Sequence, residues 1–357
     1  MNTRSVLSFA SRNWLTVAFV GGFVTDFLLL NRIDDVVDNL ILLFYAVLAT
    51  TALLLLYVGV AERLPGLTSK WLQKYTPVVM QYAFGGLLSG MLIFYGRSGD
   101  LLASAPFLLL ILGVIIGNEL LSKRSDRLVY HIALYFIGMF SYIVLVIPVI
   151  TGKMGDLVFF LSGIIALGVV TGVVQLLYKI VPQFMMMNTR RLVFTLGMIY
   201  VTFNVLYLTN VIPPIPLSLI QLEIAQSVDR MQSGDYRVIY EQQPWWHILP
   251  FQHDELHPTR GQVACFARVY APTKLETDIY HRWDFVNEAG EWEEYFTLDY
   301  PISGENAGGY RGYTRITNFF PGQWRCSVET QRGQVLGRKV FTIEEGAPVR
   351  DLVTQIE

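Results

Sequence analysis

The chain has 357 residues, of which 53% are hydrophobic and 16% charged, and its mean hydropathy is +0.41. Soluble domains carry more charge, and here the apolar residues fall in long runs, which indicates a polytopic membrane protein. A formal net charge of −2 supplies no broad basic face, so a nucleic-acid partner is excluded.

The first apolar run, Trp14–Leu30, follows Arg4 and Arg12. It is too long for the core of a signal peptide and no small-x-small cleavage site follows, so it reads as a first span. Six more runs follow, roughly Leu40–Ala61, Val78–Gly96, Leu101–Leu121, Leu128–Ile150, Asp156–Val181 and Leu192–Ile212. Each is long enough to cross ~30 Å of hydrocarbon at about 1.5 Å per residue. None alternates as a barrel strand would, so all are expected to be helices. Residues 1–212 are therefore expected to form a seven-helix transmembrane domain embedded in a lipid bilayer.

Basic residues concentrate on one set of loops. Arg4 and Arg12, then Arg63, Lys70 and Lys74, then Lys123, Arg124 and Arg127, then Lys179, Arg190 and Arg191 oppose only Arg32, Arg97 and Lys153. The positive-inside rule places the N-terminus in the cytoplasm and, after seven crossings, the C-terminal part outside it. Polar residues within or near the spans include Asp26, Glu119 and His131, with no charge at a span centre and no proline breaking a span. They are expected to bridge helices or face the interface; a proton or ion path is the alternative. Gly86-x-x-x-Gly90, Gly113-x-x-x-Gly117 and Gly168-x-x-x-Gly172 are expected to pack helices within the bundle.

Val211-Ile212-Pro213-Pro214-Ile215-Pro216 then ends the membrane half, because proline cannot continue a helix. Leu217, Ile220, Ile224, Val228 and Met231 recur at helical spacing, so residues 213–231 are expected to be a stiff exit and a short amphipathic juxtamembrane helix. Trp245-Trp246 lies in a Pro-flanked loop and is expected to pack in the domain beyond. Residues 232–357 read as β structure. Strands are expected at Gln262–Tyr270, Thr277–Phe285, Glu293–Asp299, Gly312–Thr317, Gln323–Thr330 and Val335–Ile343, with Tyr236–Glu241 as a further one. Such spacing suggests an antiparallel, immunoglobulin-like sandwich. Cys265 and Cys326 each point to a core face of their strand. Outside the cytoplasm they can form a disulfide; packing as two buried thiols is the other option.

Several separated motifs in this half, Cys265-Phe266-Ala267-Arg268-Val269, His281-Arg282-Trp283, Tyr310-Arg311-Gly312-Tyr313-Thr314, Pro321 to Glu329, and Gly333-Gln334-Val335-Leu336-Gly337 with Phe341, resemble the bacterial family known as domain of unknown function 2914. The likeness covers roughly residues 260–345. Thr314 stands where the family pattern has Ser, and Cys326 where it has an apolar residue. The resemblance implies a bacterial membrane-anchored domain, hence the inner membrane with a periplasmic C-terminal domain. It implies no activity.

His281, Arg282, Arg311 and Arg325, with Arg315, are the candidate binding residues, as a face for an anionic polymer or an envelope protein; strand-surface pairing with Glu293, Glu294 and Glu329 is the plainer reading. His253-x-x-x-His257 has metal-pair spacing, but Asp254 replaces the Glu of the zinc-protease signature and prolines flank the segment, so no metal is favoured. No Walker A loop, nucleophile elbow, dinucleotide fingerprint or Cys-x-x-Cys is present, and no cofactor is expected. The leading expectation is a non-enzymatic envelope protein whose β domain binds a partner protein or a cell-wall polymer. A transporter or sensor regulated by the β domain, and a metal-dependent hydrolase, are the alternatives.

Overall fold

The computed structural model describes residues 14–30, 35–63, 66–121, 127–242, 254–259, 261–272, 275–302, 308–344 and 350–357. The chain divides into two compact units, one of Met1–Gly96 with Ala105–Ile212 and one of Arg97–Ser104 with Pro213–Glu357.

The first unit is helical. Among the described residues its helices are α1 (Trp14–Leu29), α2 (Val36–Val60), α3 (Gly66–Arg97), α4 (Leu101–Leu121), α5 (Arg127–Thr151), α6 (Asp156–Ile180) and α7 (Pro182–Leu208). α2, α3, α5, α6 and α7 are each long and apolar enough to cross a membrane. α6 and α7 expose large apolar side chains as well as burying them: Leu157, Val193 and Phe194 are exposed while Ala166, Val170 and Leu192 are buried. Apolar side chains on an outward helix face suit lipid rather than water. Pro77, Pro106 and Pro148 lie inside α3, α4 and α5 without ending them. The glycine motifs divide. A Cβ at Gly86 or Gly90 would strike Tyr45 or Leu42, so these two make close helix contacts, whereas Gly113, Gly168 and Gly172 meet nothing within 4 Å. The packing expected at Gly113, Gly168 and Gly172 is therefore not made there; Gly117 lies outside the described side chains.

The second unit is β-rich. Its strands are β1 (Ser218–Ala225), β2 (Ser227–Arg230), β3 (Tyr236–Glu241), β4 (Asp254–Leu256), β5 (Val263–Tyr270), β6 (Thr277–Val286), β7 (Trp292–Ile302), β8 (Tyr310–Ile316), β9 (Gly322–Thr330), β10 (Val335–Ile343) and β11 (Leu352–Ile356). They form three sheets, ordered β1-β5-β8, β4-β10-β9-β6-β7 and β11-β3-β2. Pairing is antiparallel except for the short β4 beside β10. β5 is buried on both faces. Val263 and Cys265 join a core with Trp283, Trp324, Cys326 and Phe341 of the five-stranded sheet. Ala264 and Phe266 join a second core with Val228 and Val238 of the third sheet. Cys265 and Cys326 are joined by a disulfide that ties the two sheets of the first core.

The amphipathic helix expected within 217–231 is not formed; this stretch holds β1 and β2. Ile220, Leu222 and Ile224 alternate with Gln221 and Glu223, a period of two that the helical reading overlooked. Pairing decides it: Leu222 faces Ala267 and Ile224 faces Cys265 across the ladder, which satisfies the backbone and buries the apolar side together. Trp245 and Trp246 lie outside the described residues.

The disulfide closes a sequence separation of 61 residues, which the chain-entropy model values at about 4 kcal/mol. The double substitution Cys265→Ala/Cys326→Ala is expected to lower the denaturation midpoint of the β unit in the detergent-solubilised chain; an unchanged midpoint refutes a stabilising role.

Candidate functional site

Strand β6 runs His281-Arg282-Trp283-Asp284 and sends alternate side chains to opposite faces of its sheet. The inward pair is locked into a polar contact inside the core. Trp283 Nε1 donates to Thr314 Oγ1 at 2.8 Å, and His281 Nδ1 lies 3.1 Å from the same oxygen. His281 Nε2 lies 3.1 Å from the Tyr300 hydroxyl, so both ring nitrogens are satisfied. Tyr300 reaches this position because β8 carries Gly312 beneath it: a Cβ there would lie 2.4 Å from the ring. Burial pushes the His281 pKa down to about 3 and that of Tyr300 up. The imidazole is therefore neutral and sealed at neutral pH, a core residue rather than an acid or base. Cys265, His281 and Cys326 fall within metal-ligand reach of one another, but the two sulfurs are bonded to each other.

The outward pair forms an ion network. Asp284 is fully buried. Its carboxylate accepts from Arg282 Nε at 2.9 Å and from Arg325 Nε at 2.7 Å. Arg282 Nε also lies 3.5 Å from Glu294. Partial burial works against the Arg282 charge, but Asp284, Glu329 and Glu294 outweigh it and raise the pKa. Burial raises the pKa of Glu329. Arg325 is also stacked 4.5 Å from the Trp292 ring centroid. A buried carboxylate held by two guanidinium groups is costly to break and fixes both arginines in place.

Of the candidate binding residues, Arg282 and Arg325 come together on this face. His281 lies on the opposite face of the same sheet, and Arg311 belongs to β8 of the β1-β5-β8 sheet, where it pairs with Asp235 at 3.3 Å. Arg315 is exposed on that strand. The four arginines thus form no single stripe, and those that meet are balanced by carboxylates. Asp284, Trp292, Tyr300 and Thr314 complete the arrangement. Asp284 was readable as the next outward residue of β6; the other three come from distant strands, with no local signal.

The remaining site residues lie apart. His257 is buried, its Nδ1 2.8 Å from Glu241 Oε2, and Glu241 also accepts from the His257 backbone N–H and from Gln226. His253 lies outside the described residues, as does the Glu119 side chain. Asp26 and His131 are buried within the helical unit.

Residues 276–343 match the model of a family described as Protein of unknown function (DUF2914), so the β unit carries a DUF2914 domain that spans β6 to β10. No curated protein matches the chain. Among solved structures, a Pseudomonas fluorescens alkylpurine DNA glycosylase AlkC bound to DNA containing an abasic site analog aligns at 10% identity, over 88% of this chain and 100% of that one, with a TM-score of 0.23, too low for a shared fold.

The His281 environment sets a pH dependence. The unfolded chain binds a proton there below about 6.5 and the folded chain only below about 3, so stability falls as pH drops through that window, by about 1.4 kcal/mol per pH unit in its middle. His281→Gln is expected to flatten the acid limb of stability against pH, measured by denaturant unfolding; a limb as steep as the unsubstituted protein's contradicts a neutral buried imidazole.

Proposed function

We propose that this chain is a seven-span protein of the bacterial cytoplasmic membrane whose C-terminal β-sandwich, of immunoglobulin-like architecture, stands in the periplasm and binds a partner protein. The observation that carries the binding reading is the outer face at β6, β7 and β9. β7 is the last strand of its sheet, eleven residues long, and exposed along most of its length. Its Trp292 is 38% exposed and rests on Arg325, which Asp284 holds rigid. A preorganised Trp–Arg pair beside a strand edge that is unpaired among the described residues offers both an anchor and a backbone ladder to a second protein. An anionic polymer is the weaker reading, because Asp284, Glu294 and Glu329 offset Arg282 and Arg325.

The membrane topology rests on loop charge and span parity. Two further features support it. The segment Arg97–Ser104, between the third and fourth spans, groups with the β unit: the Asp100 N–H donates to the Val335 carbonyl, and Asp100 lies 3.7 Å from Arg338. Loop charge assigns that segment and the C-terminal part to the same side of the bilayer. A disulfide also suits an oxidising compartment. The helical unit anchors the domain, and no catalytic role is assigned.

A photoreactive residue at Thr297 of β7, exposed and opposite Arg282 in the ladder, is expected to crosslink one defined protein in intact cells, while the same residue at Asp229 of β2 does not. Trp292→Ala is expected to remove the crosslink, since loss of a central aromatic anchor costs about 2 kcal/mol or more. Equal capture from both positions, or capture indifferent to Trp292, would overturn the assignment of this face.

A further inference from the structure

Three helices converge on one carboxylate in the helical unit. Asp26 of α1 is fully buried. Ser89 of α3 donates to its Oδ2, and Tyr45 of α2 interacts with the same carboxylate. Among the described residues, Asp26 Oδ1 has no hydrogen-bond partner. The face of α3 that receives it is cut to fit. A Cβ at Gly86 would lie 2.6 Å from the Tyr45 ring, and one at Gly90 would lie 2.7 Å from Leu42 and 3.9 Å from Asp26 Oδ2. Gly86, Ser89 and Gly90 share one helix face, so this motif is a socket for the acid and its tyrosine. Tyr82, whose ring centroid lies 5.8 Å from that of Tyr45, closes the group.

Among the described residues, the groups facing Asp26 are hydroxyls and backbone, with no cation. An ionised carboxylate in such surroundings is expensive, and a bound proton removes the cost. Helix adhesion alone does not call for an acid, since Ser, Thr or Asn would bridge the helices without it. Two more hydrogen-bonded rungs lie further along α2. Thr50 Oγ1 is 2.7 Å from the Tyr135 hydroxyl, and the Tyr57 hydroxyl is 3.2 Å from His131 Nδ1. Tyr135 and His131 are one turn apart on α5, and Thr50 and Tyr57 share a face of α2. From Tyr45 to Tyr57 the groups extend over ~18 Å of helix axis, more than half a hydrocarbon core.

We propose that the helical unit passes protons across the membrane, with Asp26 as the proton-binding residue and the Thr50–Tyr135 and Tyr57–His131 pairs as further stations. The proton is taken from water on one side onto the carboxylate and released to water on the other, with no electron transfer. The inference rests on the bundle spanning the bilayer, but not on what the β unit binds.

The full chain is reconstituted into vesicles holding a pH-sensitive dye, and a potassium diffusion potential, negative inside, is imposed. Flotation after an alkaline wash first shows that the protein is inserted, which separates failure of the membrane reading from failure of this one. The expected result is acidification of the lumen faster than in protein-free vesicles. Asp26→Asn is expected to return the rate to that of protein-free vesicles, Asp26→Glu to keep most of it, and Tyr57→Phe to slow it. No flux above protein-free vesicles from inserted protein, or full flux in Asp26→Asn, overturns the proposal. Should Asp26→Asn fail to insert, Ser89→Ala and Tyr57→Phe decide it: slowing in either supports the route, and unchanged rates in both reject it.

Discussion

Burial of β5 on both faces is the constraint on which the β unit depends. A strand covered on two sides cannot expose polar side chains on either, and Val263, Ala264, Cys265, Phe266 and Ala267 meet that demand without interruption. Its odd positions face the five-stranded sheet and its even positions face β2 and β3. The disulfide from Cys265 to Cys326 then fixes the separation of the first two sheets. With that spacing fixed, a polar contact inside the core becomes possible. Thr314 of β8 meets Trp283 and His281 of β6, and each buried nitrogen finds an oxygen. A half-satisfied network there would be worse than an apolar core.

The other face of β6 solves an electrostatic problem with the same alternation. Asp284 points away from the core yet is fully covered, so it needs counter-charge rather than water. Arg282 comes from the same strand and Arg325 from the neighbouring β9, directly opposite in the ladder. The register that aligns Trp283 with Cys326 inside therefore aligns Asp284 with Arg325 outside. The rigid Arg–Trp surface at the edge strand follows from the packing of the core beneath it.

Much of this was legible in the sequence where one face of one element decided the outcome. The strands from β5 to β10 and β3 carry clear alternation or runs bounded by Gly and Pro, and long apolar runs mark the helices. β1 misled because Ile220 and Ile224 satisfy a helical period as well as a strand period, and only β5 as a partner separates the two. The short β4 and the terminal β11 carry too few residues for a pattern and depend on neighbours already in place. The glycine motifs look alike in sequence, yet among their described glycines only Gly86 and Gly90 sit where a neighbour's ring or branch occupies the missing Cβ. Site partners such as Thr314, Tyr300 and Trp292 arrive from other strands, and sequence spacing holds no trace of them.

Two fully buried aspartates show what the surroundings decide. Asp284 and Asp26 are the same side chain at the same exposure. Asp284 accepts from two guanidinium groups, so its charge is compensated, and its role is to hold Arg282 and Arg325 still. Asp26 has a serine hydroxyl, a tyrosine and a glycine-lined socket, with no cation facing it among the described residues. Hydroxyls serve either protonation state, because each can donate to a carboxylate or accept from a carboxylic acid. A site built this way does not commit its acid to one charge. That is a poor design for a structural anion and a good one for a residue that must take up and give back a proton, which is why the same side chain reads as scaffold in the β unit and as chemistry in the helical one.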